Sequence, residues 1–106
     1  MWYLVLSRAV TSPETRMRNH EAHMQWLLDQ HRAGRVLLSG PTADRAYGIY
    51  VLVSGSKDEA ERVAAEDPLH VSGDRVMQVF EWDVRRAMRL DGPSIAELEA
   101  LAGRNT

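Results

Sequence analysis

His23-Met24-Gln25-Trp26-Leu27-Leu28-Asp29-Gln30-His31-Arg32-Ala33-Gly34-Arg35-Val36-Leu37-Leu38-Ser39-Gly40-Pro41 carries the chain from a helix into a strand, and the fold is read outward from it. Met24, Leu27, Leu28 and His31, with Met17 before them, recur at helical spacing and predict the buried stripe of an amphipathic helix. Gly34 is a fitting stop, because glycine adopts the left-handed backbone that ends a helix without steric cost. Val36 to Ser39 then reads as a short strand, ended by Gly40-Pro41.

Upstream, Thr11-Ser12-Pro13-Glu14 is a helix start: a capping serine, a proline in the first turn and an acid beside it. The pattern predicts one helix from there to about Ala33. Trp2 to Ser7 is aromatic and β-branched, a strand signal. Downstream, the polar turn Thr42-Ala43-Asp44-Arg45 leads into a strand from Tyr47 to Val53. Ser56-Lys57-Asp58-Glu59 is a capping box that opens a second helix with Ala60, Val63 and Ala64 inward. That helix is expected to end near Asp67, because Pro68 disfavours helical backbone in the residue before it. His70 to Arg75 is predicted as a loop, and Val76 to Val84 as the last strand.

The order is βαββαβ, the α+β ferredoxin-like pattern with a four-stranded antiparallel sheet. Both helices cover one face. The other is open and apolar, and pairing two such faces across a two-fold axis would bury them. Residues 1–84 form this domain and 85–106 an extension. In the extension, Asp91-Gly92-Pro93 breaks the chain, and Ser94 with Glu97 forms another capping box. Ile95, Leu98 and Leu101 make a short amphipathic helix that must dock to persist.

At 106 residues the chain is one small domain with a modest core. Its net charge of −2 is spread without a basic stripe, which argues against a nucleic-acid partner. Arg85, Arg86 and Arg89 cluster, but Glu81, Asp83 and Asp91 bracket them. The apolar start is too short for a membrane span or a signal peptide. With no cysteine there is no disulfide, thiolate nucleophile or cysteine-ligated metal, and a cytoplasmic setting is expected.

Four histidines remain as candidates for acid–base chemistry. A helical wheel puts His20 and His31 near the centre of the apolar stripe and His23 at its flank, where a base reaches both a pocket and a proton path. Asp67, at the end of the second helix, opposes the helix dipole unless a nearby imidazole compensates. His20, His23, His31 and Asp67 lack the spacing of a helical zinc motif, so no metal is expected.

Here the chain resembles the YCII-related domain family. The resemblance runs roughly from Trp2 to Trp82 and leaves out the tail from Arg85. It rests on the aromatic first strand, on His23 followed after ten residues by Gly34-Arg35 and a strand ending Gly40-Pro41, and on Asp67-Pro68 followed by Gly73. The resemblance implies a dimeric α+β barrel, two sheets packed face to face, with His23 and Asp67 as the active pair. His20 stands where many relatives have an arginine, in the run His20-Glu21-Ala22-His23, and Leu69 replaces an aromatic residue. His20, Ser39, Gly40, Pro41 and His70 are expected to contact the substrate. The implied function is a cofactor-independent lyase or isomerase that moves a proton on a small cyclic or unsaturated molecule. A ligand-binding or assembly domain, or a cofactor-free oxygenase or cyclase, are the alternatives.

Overall fold

Strand β1 (Trp2–Ala9) is the inner rail of the sheet, flanked by two antiparallel neighbours. The computed structural model describes residues 1–86 and 94–104. Along β1, Tyr3, Val5 and Ser7 are buried while Trp2, Leu4 and Leu6 are half-exposed, the period-two alternation of a sheet with unlike faces. β1 pairs with β3 (Tyr47–Val53) and with β4 (Arg75–Trp82), and β2 (Val36–Pro41) pairs with β3, giving the order β2-β3-β1-β4. This is the α+β ferredoxin-like arrangement.

The first helical region is two helices, not the single one expected. Helix α1 (Pro13–Met17) stops, and α2 (His20–Arg32) begins after Arg18-Asn19. The break has a physical cause. The amides of Arg18 and Asn19 bond to Thr15 and Arg16, a tightened turn, and Asn19 leaves helical geometry with φ −115°. Its side-chain amide donates to Asp74 at 3.2 Å. Asparagine favours such competing bonds over helix.

A wheel run across the break loses its phase. Met17, Met24 and Leu28 are exposed, as is His20, and the buried residue of α2 is Gln30, whose amide oxygen accepts from Arg35 Nε at 2.6 Å. Trp26 and Leu27 are the α2 side chains that pack on the core of Tyr3, Val5, Val36, Tyr50 and Leu52, with Trp26 edge-on to Tyr50 at 6.0 Å. The stop at Gly34 follows expectation. Gly34, at φ 75°, donates to the His31 carbonyl and Arg35 to the Gln30 carbonyl, the paired bonds of a Schellman ending.

Helix α3 (Lys57–Ala65) is capped by Ser56 and buries Ala60 and Ala64. The predicted loop after it is instead partly a short helix, α4 (Pro68–Val71). Pro68 occupies its first turn, where a missing N–H costs nothing. Asp67 is thus an N-cap, accepting from Leu69 N at 2.9 Å, rather than a carboxylate set against the end of α3. The helix dipole there favours its charge.

Asp74, buried where β4 begins, ties three connections together. It accepts from the Ser72 hydroxyl, from Thr11 Oγ1 at 2.8 Å and from Asn19. The Ser72 bond, then the Thr11 bond, outweigh desolvation and hold its carboxyl below the usual range, with help from Asn19 and the Arg16 charge. A carboxyl depressed by folding stabilises fully above its ordinary pKa and loses that contribution as pH falls through the lower folded value. Asp74→Asn is therefore expected to lower the melting temperature at neutral pH, with the gap from the parent closing in acid. Equal melting temperatures at neutral pH would contradict this role.

On the open face Leu38, Val76, Phe80 and Trp82 are exposed. Helix α5 (Ile95–Arg104) docks on its own chain: it packs against β3, and Glu99 accepts from the Trp2 indole and from the N-terminal ammonium, the latter at 3.0 Å. Arg89 and the Asp91-Gly92-Pro93 break lie outside the described residues. Among the described residues no helix is long and apolar enough to cross a membrane.

Candidate active site

Two helix starts create the site. Asn19 opens α2 and sets His23 one turn in, and Asp67 opens α4 across from it. His23 Nδ1 lies 2.8 Å from Asp67 Oδ1. The imidazole is 18% exposed and the carboxylate fully buried. Asp67 Oδ1 also takes the Leu69 amide, so as a carboxylate it accepts twice on one oxygen. Nδ1 then carries the proton. His23 Nε2 bonds to nothing among the described residues.

A cavity of about 630 Å³ opens beside the pair. Met17, Met24, Leu27 and Leu69 supply apolar wall. The sheet side is small and polar: Ser7 faces Gly48 across β1 and β3, and Arg75 lies over Gly48 and donates to the Ser7 carbonyl at 2.6 Å. Three buried polar atoms among the cavity residues have no partner: Ser7 Oγ, Tyr50 Oη and Asp67 Oδ2. Burial, and then the Asp67 charge, push the Tyr50 hydroxyl far above its ordinary pKa, so it stays a donor. Burial and the Arg16 guanidinium lower the Arg75 pKa, against the pull of Asp67.

Of the residues expected at the substrate, His20, Ser39, Gly40 and Pro41 lie on the cavity wall, with His20 exposed. The Ser39 hydroxyl is held at 2.8 Å by His31 Nε2. His70 is a correction: it is off the wall, with Nδ1 buried and unpartnered elsewhere. In a helical turn each residue rotates about 100° from the last. Once 68–71 is helical, Leu69 takes the wall and His70 turns away. Sequence reasoning missed Ser7, Arg16, Tyr50 and Arg75. Strand alternation carried a signal for two of them, since Ser7 and Tyr50 fall on the helix-covered face with Tyr3 and Leu52.

With this geometry known, similarity to other proteins is informative. The chain matches the YCII-related domain family over residues 1–83. It is 25% identical over 84 residues to the uncharacterized protein YjpA of Bacillus subtilis (strain 168), spanning 79% of this chain and 99% of that protein. Its fold superposes with a TM-score of 0.66 on 5-chloro-2-hydroxyhydroquinone dehydrochlorinase (TftG) from Burkholderia phenoliruptrix AC1100, solved in complex with 2,5-dihydroxybenzoquinone. That match has 21% identity and covers 78% of this chain and 94% of the other, a likeness of fold. The family match spans the whole sheet and helices α1 to α4 around His23 and Asp67, and by it the chain belongs to the YCII-related domain family.

Proposed function

We propose that this protein is a small cofactor-independent enzyme of lyase or isomerase type, with His23 as acid–base group and Asp67 as its orienting carboxylate. One observation carries the reading: Nδ1 is tied to a buried carboxylate at 2.8 Å while Nε2 is left unbonded on a residue that lines a cavity of about 630 Å³. That volume suits a compact organic molecule. A merely structural pair would be sealed, and this imidazole is not.

In the proposed step Nε2 takes a proton from a C–H or O–H of the substrate. The freed electron pair forms a new π bond. In an elimination a leaving group such as chloride departs with its bonding pair, and in an isomerisation the imidazolium returns the proton to another carbon. Asp67 holds the ring and stabilises its charge. The fold neighbour's name, a dehydrochlorinase, supports the elimination variant and supplies a first substrate to assay. A cytoplasmic setting, suggested by the cysteine-free composition, belongs to the same proposal, as does a homodimer through the open sheet face.

The dyad is testable without a known substrate. Long-range proton–nitrogen spectra of the neutral imidazole are expected to show Nδ1 protonated and Nε2 bare. Asp67→Asn is expected to disturb that balance. A His23 protonated only at Nε2 would remove the base.

A further inference from the structure

We infer that the cavity takes an organic anion, a compact and largely apolar molecule whose carboxylate or phenolate oxygen is bound by Arg16 and Arg75. The inference rests on reading this cavity as the active site and names the class of substrate. Four observations carry it.

Arg16 and Arg75 both line the cavity, yet neither has a carboxylate within ion-pair distance among the described residues. Each instead spends one N–H on a backbone carbonyl: Arg16 on Thr11 and Arg75 on Ser7. Those bonds fix the planar guanidinium groups and leave the other N–H donors unused. The nearby acids are engaged elsewhere, Asp74 with Thr11, Asn19 and Ser72, and Asp67 with His23 and the Leu69 amide.

The two cations also sit near enough to repel, since Arg16 lowers the Arg75 pKa. Like charges gathered in a partly buried wall are costly where Asp67 and Asp74 answer them only at a distance, and an anion between them lowers the cost. Next, Ser7 and Tyr50, 3% and 4% exposed, bring unpartnered hydroxyls to the same wall beside one unpartnered acceptor, Asp67 Oδ2. A carboxylate or phenolate accepts from the unused guanidinium donors. Finally, Met17, Met24 and Leu27 line the same cavity, which suits a ligand with an apolar body. Arg45 at the rim adds positive charge, from a left-handed backbone (φ 64°) where glycine is the usual residue.

The test titrates the full chain with benzoate and with benzamide, its neutral counterpart of similar shape, by calorimetry. Benzoate is expected to bind about ten- to a hundredfold more tightly, the range of one to two charge-assisted bonds. Arg75→Gln is expected to erase that preference. Arg16→Gln, on the exposed helix α1, is expected to do the same and serves where Arg75→Gln fails to fold. Benzoate and benzamide binding alike, no binding by benzoate, or a preference untouched by Arg16→Gln would each overturn the inference. His23→Ala is expected to keep the benzoate preference. If it loses turnover while the parent shows no preference, the anion subsite fails and the dyad stands. If the preference holds and His23→Ala turns over normally, the dyad fails and the subsite stands.

Discussion

His23→Ala is expected to lower turnover by about a hundred- to ten-thousandfold, the usual contribution of a positioned acid–base group. Chloride release from 5-chloro-2-hydroxyhydroquinone is the first assay to run, with near-ultraviolet circular dichroism as the check on the fold. Alanine suits the helix better than histidine does, and the ring is only partly enclosed by neighbours. The variant nevertheless loses some stability, because Asp67 is fully buried and the imidazole answers part of its charge. Leaving a buried acceptor short of a partner costs about 1–3 kcal/mol. Asp67→Asn is expected to lower turnover less than His23→Ala. Its amide oxygen can still cap Leu69, and the imidazole stays beside the cavity. Wild-type turnover by His23→Ala would end the dyad reading.

The element order was legible because its signals are local. Ser56 with Glu59, and Gly34 after Ala33, act on backbone within a few residues, and the alternation along Trp2 to Ser7 needs no distant partner. What failed depends on contacts far along the chain. The break at Asn19 exists because Asp74 takes its side chain, and no window around Asn19 contains Asp74. Within α2 the inward face carries His23, Trp26, Leu27 and Gln30, so a wheel centred on the methionines misplaced Met24 and His20. Asp67-Pro68 has two valid readings, a stop for one helix and a start for the next, and only the packed chain chooses the second.

The candidate site divides the same way. Periodicity put His23 at a border and left the histidines unresolved, while the family resemblance singled it out. Arg16 and Arg75 are invisible as a pair in sequence. One precedes the break and the other opens the last strand, and the sheet brings them to one cavity across Ser7 and Gly48. His70 misled for a converse reason: closeness in sequence to Asp67 says nothing about direction once the backbone turns helical.

Light scattering at micromolar concentration is expected to give twice the 12.0 kDa chain mass, and Val76→Glu combined with Phe80→Glu to return the chain to monomer. Both side chains are more than two-fifths exposed on the uncovered face, so charging them leaves the core of the protomer intact. Leu4 and Leu6 lie on the same face by register, Leu4 opposite Phe80. Across a two-fold axis each substitution occurs twice in one interface. Unpaired charges buried there cost several kcal/mol, and about 4 kcal/mol is a thousandfold in affinity. Helix α5 sharpens the prediction. Glu99 holds it at the Trp2 end of the sheet, so a partner meets the face beyond it, from the row of Leu38, Leu4 and Phe80 to Val76. Deleting residues 94–106 is then expected to leave the dimer in place while exposing Trp2 to solvent, seen as a red shift in its fluorescence. A well-folded wild-type monomer would refute the dimer, and dissociation on removing α5 alone would move the interface to the other end of the sheet.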